Sequence, residues 1–218
     1  MAWDLYVITD EMIGAGRSHA EIARYACQGG ADAIQLRDKH CQLRNLVSLS
    51  RTIRGITEDY GVLFIVNDRI DIALASKADG VHLGQNDLRI DIARQLAPRP
   101  FVIGVSVRNP GEAIAAECAG ADYVAVSPVF ATMSKGDAGP GYGLGTVRQI
   151  REAVSIPVIG IGGITRDNVA GVISAGADGV AVISAIVGQA DISAAARDFK
   201  ERIFAAKQKG GLCSYQKK

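Results

Sequence analysis

The feature that most constrains this chain is an alternation. Short runs rich in Val and Ile begin near Leu5, Ala33, Val62, Gly80, Phe101, Tyr123, Pro157 and Gly179, and each is followed by a longer segment with helical spacing. Several runs are apolar throughout, as in Val62-Leu63-Phe64-Ile65-Val66, which suits parallel strands covered on both faces. Between them, Leu43, Leu46, Val47, Ser50 and Ile53 fall on one helix face. Ser18 with Glu21 reads as a capping box, and Asn109 before Pro110, with Glu112 behind, as a cap followed by a first-turn proline. Thr165 and Asp191 are further cap candidates.

A weak repeat supports the count. Ala31-Asp32-Ala33, Ala78-Asp79-Gly80, Ala121-Asp122-Tyr123 and Ala177-Asp178-Gly179 each lie between a helix and the next strand, and Gly30, Gly120 and Gly176 precede three of them. Eight such units in 218 residues predict an α/β chain folded as a single (β/α)8 TIM barrel over residues 1–209, with a loose tail over 210–218. A doubly wound open sheet is the alternative. It predicts a glycine-rich turn after the first strand, where Thr9-Asp10-Glu11-Met12 stands instead.

Charge and cysteine usage narrow the function. With 24 basic and 23 acidic residues, the chain lacks the basic excess of a nucleic-acid-binding face. Asp178 interrupts the most apolar stretch, so no membrane span is expected. Asp4 followed by strand-like Leu5-Tyr6-Val7-Ile8 does not read as a signal peptide. Cys27, Cys41, Cys118 and Cys213 lie far apart and read as reduced thiols of a cytoplasmic protein rather than zinc ligands or disulfides. The sequence leaves a homo-oligomer open.

In a barrel, chemistry sits at the carboxyl ends of the strands. Asp32, Asp79, Asp122 and Asp178 precede strands, which predicts turn and capping roles; Asp10, Asp68 and Asp87 follow strands and are site candidates. The strand ends carry Gln35-Leu36-Arg37-Asp38-Lys39, Asn67-Asp68-Arg69, Gly84-Gln85-Asn86-Asp87, Ser106, Thr132-Met133-Ser134-Lys135, Gly162-Gly163 and Ile183-Ser184. Paired carboxylates beside cations match a polyanion held with Mg²⁺, which takes one or two carboxylates plus phosphate oxygens. The rim after strands seven and eight has backbone donors and no carboxylate, which suits a monophosphate.

Each feature has a plainer reading. Asp68 and Asp87 could be helix N-caps, Arg37 and Lys39 solvated charges, Lys135 part of a loop made mobile by Gly136, Gly139, Gly141, Gly143 and Gly145, and Gly162-Gly163 a tight turn. His82, mid-strand in Val81-His82-Leu83, reads as a core residue; His19 and His40 read as surface residues. No general base stands out, which fits chemistry driven by leaving-group departure.

Together these residues resemble the thiamine-phosphate synthase family. The resemblance runs through Tyr6-Val7-Ile8-Thr9-Asp10, Gln35-Leu36-Arg37-Asp38-Lys39, Val66-Asn67-Asp68-Arg69 and Gly80-Val81-His82-Leu83-Gly84-Gln85-Asn86-Asp87-Leu88. It continues through Ile103-Gly104-Val105-Ser106, the segment from Ser127 to Lys135, Ile159-Gly160-Ile161-Gly162-Gly163-Ile164 and the segment from Gly179 to Ile186. It implies that hydroxymethylpyrimidine pyrophosphate is joined to a thiazole phosphate, or its carboxylated form, giving thiamine phosphate and pyrophosphate. It further implies that Gln35, Arg37, Lys39, Asn67, Ser106 and Lys135 contact the pyrimidine pyrophosphate, with Arg37, Lys39, Ser106 and Lys135 the catalytic contacts. Asp68 and Asp87 would hold Mg²⁺. Thr132, Met133 and Ser134 would line the thiazole phosphate, with Gly163, Ile183 and Ser184 at its phosphate end.

Three positions depart from the family pattern: Ser127 stands for a glycine, Ala131 for a proline and Ser134 for a threonine. A thiazole tautomerase on the same fold would lack the Asn-Asp-Arg and Gln-x-Asp motifs and carry a histidine at the place of Pro128. A non-catalytic binding barrel would need neither the carboxylate pair nor the loop lysine, and a sugar-phosphate epimerase would share only the glycines after strand seven.

Overall fold

The computed structural model describes residues 3–39, 41–132 and 139–215, with side chains through 209. The eight strands are β1 (Leu5–Thr9), β2 (Ala33–Leu36), β3 (Leu63–Asn67), β4 (Gly80–Leu83), β5 (Val102–Val107), β6 (Tyr123–Val126), β7 (Val158–Ile161) and β8 (Gly179–Val182). Each starts within one residue of its predicted place. Each pairs in parallel with the next, and β1 pairs with β8 through Leu5↔Val180. Closure removes the open-sheet alternative.

The described helices are α1 (His19–Gln28), α2 (Leu43–Tyr60), α3 (Ile70–Ala75), α4 (Ile90–Leu96), α5 (Pro110–Cys118), α6 (Gly143–Ala153), α7 (Val169–Ser174), α8 (Ser184–Val187) and α9 (Ile192–Tyr215). The backbone of α9 is helical through Tyr215, so position 210 marks no break in it. Ser18 and Glu21 form the reciprocal capping box, and Asn109 caps α5. Asp191 accepts from the Ala194 N–H at 2.9 Å, capping α9. The N-cap of α7 is Asn168, and Thr165 caps the turn just ahead of it: its hydroxyl accepts from the Asp167 N–H at 3.3 Å and its N–H donates to the Asn168 side chain at 2.8 Å.

Two apolar layers follow from strand alternation. Outward-facing residues such as Val7, Phe64, Val81 and Val124 pack with the helices, whereas Tyr6, Ile8, Ile65, Tyr123 and Ala181 fill the barrel interior. None of the described helices is long and apolar enough to cross a membrane. Cys27, Cys41 and Cys118 are free thiols.

The Ala-Asp repeat forms the floor of the barrel. Ahead of β2, β4, β6 and β8 the helix ends in a left-handed residue: Gly30 (φ 88°), Lys77 (φ 56°), Gly120 (φ 99°) and Gly176 (φ 106°). The following alanine N–H reaches back to the last turn, as in Ala31 to Ala26 at 3.1 Å and Ala78 to Ala73 at 2.9 Å. The aspartate side chain then accepts the N–H of a residue in the preceding strand. Asp32 takes Leu5, Asp79 takes Phe64, Asp122 takes Ile103 and Asp178 takes Val158, each at 2.8 Å. Each carboxylate also meets a cation: Lys200, Arg54, Arg94 and Arg151 respectively. The predicted turn-and-cap roles thus become four strand clamps.

Candidate active site

The loops after β2 to β6 enclose a cleft of about 350 Å³ at the carboxyl end of the barrel, lined by Arg37, Lys39, Asn67, Asp68, Asp87 and Ser106 among others. That volume suits a small-molecule ligand. Arg37 is not a solvated charge: its side chain is 12% exposed and pairs with Asp10 at 3.2 Å. This gives Asp10 its place, holding the guanidinium from the β1 end. The loop between Arg37 and Lys39 is anchored by Asp38, which accepts from the Cys41 N–H at 2.9 Å and lies 3.4 Å from His19 Nε2.

Asp68 and Asp87 are not helix caps. α3 starts from Arg69 and α4 from Arg89, and neither helix has a side-chain cap. Asp68 sits at φ 61°, a left-handed conformation that Asp tolerates better than most residues. Its N–H donates to the His82 carbonyl at 2.8 Å, which fixes the turn at the end of β3. Asp87 Oδ2 accepts from the Gly84 N–H at 2.6 Å. The two carboxyl groups lie close enough to act on one another. Burial pushes Asp68 up to about 6, the negative charge of Asp87 adds to this, and Lys39 and Arg37 partly offset it.

A facing carboxylate pair beside cations is unfavourable by itself and fits a hard dication with oxygen ligands. No group of three or more His, Cys, Asp or Glu is placed to hold a metal among the described residues. Two carboxylates leave room for phosphate oxygens and water, so the donor set fits.

A second, smaller cleft is lined by Thr132, Gly162, Gly163, Ile183 and Ser184, and it shares Ser127 and Pro128 with the first. Gly162 (φ 99°) and Gly163 (φ 61°) are required by conformation and by close approach. A Cβ on Gly163 would lie 2.5 Å from the Ala131 carbonyl oxygen. The tight-turn reading therefore holds, and it brings the β6 loop against β7: Val129 donates to Ile161 at 2.7 Å and Phe130 to Gly162 at 3.0 Å. The phosphate-type reading stands beside it, because the Gly163 N–H has no acceptor among the described residues. Ala131 follows this pinned stretch directly.

Most predicted site residues gather on this rim. Gln35 does not line the cleft: it is 2% exposed and lies beneath, donating to the Tyr6 hydroxyl at 2.8 Å. Met133, Ser134 and Lys135 lie outside the described residues, as does His40. His19 is a correction. It is buried, not on the surface, with Nδ1 2.7 Å from Thr9 Oγ1. Sequence reasoning also missed Arg108 and Tyr142, which line the first cleft with His82. Arg108 follows Ser106 with the spacing that links Arg37 to Lys39, a usable signal; Tyr142 lies in a glycine-rich stretch with none. His82 is 6% exposed with both ring nitrogens hydrogen-bonded, so it is the satisfied core residue expected and also a wall of the cleft.

Clefts of this kind at the carboxyl rim of a closed barrel place the chain among (β/α)8 enzymes that act on anionic small molecules. Comparison with known proteins gives the particular group. The chain belongs to the thiamine monophosphate synthase family, whose profile matches residues 5–186. It is 69% identical over 208 residues to the thiamine-phosphate synthase of Methanoregula boonei, covering 95% of this chain and 96% of that one. The corresponding enzyme of Methanoculleus marisnigri is 60% identical over 210 residues, covering 96% and 100%. Among solved structures, thiamine phosphate pyrophosphorylase from Pyrococcus furiosus superposes with a TM-score of 0.87 at 42% identity, over 94% of this chain and 97% of that one. The chain is accordingly an enzyme of the transferase class.

Proposed function

We propose that this chain is a thiamine-phosphate synthase acting in the cytoplasm, joining hydroxymethylpyrimidine pyrophosphate to a thiazole phosphate and releasing pyrophosphate. The observation that carries this reading is the Asp68–Asp87 pair beside Arg37 and Lys39, one cleft away from the carboxylate-free pocket at Gly163. A diphosphate and a monophosphate then sit on either side of the wall made by Ser127 and Pro128. The family membership and the near-full-length likeness to synthases support the same reading.

Asp68 and Asp87 are the residues that would hold Mg²⁺, which supplies charge neutralisation for the departing pyrophosphate. Arg37, fixed by Asp10, and Lys39 place positive charge where the leaving group gathers negative charge. Asn67 and Ser106 orient the same substrate from β3 and β5. The methylene C–O bond to pyrophosphate breaks first, the electron pair leaving with the pyrophosphate oxygen. The thiazole nitrogen lone pair then forms the new C–N bond to the pyrimidine methylene. Thr132, Gly163, Ile183 and Ser184 hold the thiazole phosphate, with Met133 and Ser134 assigned to the same end and Lys135 to the pyrophosphate by resemblance. No residue needs to act as a base, consistent with the departure-driven step.

The test is a coupling assay with both substrates and Mg²⁺, the product being oxidised and read as thiochrome fluorescence. Product formation that EDTA abolishes is the expected outcome. No product, with substrates that a known synthase converts, would overturn the reading.

A further inference from the structure

The barrel interior contains a polar chain that ends at Ser106 and whose other members have no part in the reaction above. Gln35 Nε2 donates to the Tyr6 hydroxyl at 2.8 Å, and the Tyr6 and Tyr123 hydroxyls are 3.2 Å apart. Tyr123 lies 2.8 Å from His82 Nδ1, and His82 Nε2 lies 3.0 Å from Ser106 Oγ. Five side chains from β1, β2, β4, β5 and β6 are thus linked across the barrel, from beneath the cleft to its wall.

The fold makes room for this chain. A Cβ on Gly104 would overlap the Tyr123 ring, so a glycine on β5 admits that ring to the interior. Trp3 packs against Tyr123 with ring centroids 5.0 Å apart, and His82 stacks with the same ring at 5.6 Å and 29°. An interior of aliphatic side chains would fill the same space with no polar group to desolvate, and a buried polar chain is favourable only when every member is satisfied.

Proton counting gives the chain a direction. Each hydroxyl has one proton. Tyr6 accepts from Gln35, and among the described residues the Tyr123 hydroxyl is the one acceptor in reach of its own proton, so a buried Tyr6 proton is satisfied only by donating to Tyr123. Tyr123 therefore donates to His82 Nδ1, and neutral His82 carries its proton on Nε2 and donates to Ser106 Oγ. Ser106 is left with its own proton to give. Burial raises both tyrosines far above their ordinary value, so the phenols stay protonated as the counting requires.

We propose that Tyr6, Tyr123 and His82 are positioning residues that fix Ser106 as a hydrogen-bond donor into the first cleft. The assignment of that donor to the pyrimidine pyrophosphate rests on the function proposed above. The cleft then favours a ligand that offers an acceptor at Ser106 and disfavours one that offers a donor.

Two measurements test this. In ¹⁵N-histidine NMR of the full chain without substrates, His82 should be a neutral imidazole protonated on Nε2; a proton on Nδ1 would reverse the chain and overturn the proposal. This readout needs no turnover, so it stands apart from the coupling reaction. The second uses Tyr123→Phe, which keeps the ring packing and removes one hydroxyl. The pyrimidine-pyrophosphate kcat/KM should fall about tenfold, with the thiazole-phosphate KM unchanged. His82→Gln should retain more activity than His82→Leu, because an amide can still donate to Ser106. Equal losses for both substrates in step with a falling Tm, or no loss at all, would reduce the chain to a structural element and overturn the proposal.

Discussion

On the floor of the barrel, Asp122 accepts from the Ile103 N–H and faces Arg94; on the rim, Asp68 faces Asp87. The same side chain is treated in opposite ways at the two ends of the strands, and position decides the difference. Floor carboxylates each receive a strand N–H and a cation, so they hold the sheet together. The rim pair is only partly offset by Lys39 and Arg37, so it works against the folded state until a further cation arrives. The comparison separates aspartates that stabilise from aspartates that bind.

The sharpest way to break this contrast is to neutralise the rim. Asp68→Asn preserves shape and tolerates the left-handed backbone, and it should lower Mg²⁺-dependent turnover by about 100-fold or more, some 3 kcal/mol of transition-state stabilisation. Its Tm without metal should not fall. Turnover near wild type would remove Asp68 from the metal site.

Asp122→Ala should act the other way. It strips a clamp from β5 and leaves Arg94 uncompensated, so denaturant unfolding should show a loss of about 3 kcal/mol. The folded fraction should keep its kcat. A loss no larger than that of an exposed ion pair would end the distinction between floor and rim.

The pH dependence of stability sharpens the contrast further. Asp68 holds its proton more tightly when folded, at about 6 against an ordinary 3.8. Its contribution is therefore present at low pH and is lost as pH rises from about 4 through 6. Metal-free wild type should fall behind Asp68→Asn across that window by roughly 1 kcal/mol, since the group is half exposed and screened. The two curves should run parallel above pH 7, which chemical denaturation at fixed ionic strength would check.

The smallest effect concerns Lys77, the one floor turn whose left-handed position lacks glycine. Lys77→Gly should raise stability by about 0.5–1 kcal/mol with no change in activity. Urea midpoints with unchanged m-values would measure it.

Much of this was readable beforehand because it is local. Strand starts follow from runs of Val and Ile, and the Schellman turns from Gly30, Gly120 and Gly176. The Ala-Asp repeat pointed to the floor, but not to the cation each aspartate meets, since Asp32 and Lys200 are joined only by the closed barrel. Position after a strand likewise selected Asp68 and Asp87, whereas their mutual contact depends on neighbouring strands in register. The burial of His19 was illegible for the same reason: a polar residue looks exposed in a sequence, and His19 is buried here against Thr9 of β1. Gln35 lies beneath the cleft because the closed barrel brings its side chain to Tyr6.

The clamps have a consequence for the order of assembly. The cation of each comes from the helix just ahead of the strand pair it fastens: Arg54 from α2, Arg94 from α4 and Arg151 from α6. For β1 and β2 the helix ahead, going round the ring, is α9, which supplies Lys200. As the chain leaves the ribosome, three clamps can complete in the order their parts emerge. The earliest strands must wait for one of the latest lysines, so the first quarter of the barrel is the last to be locked.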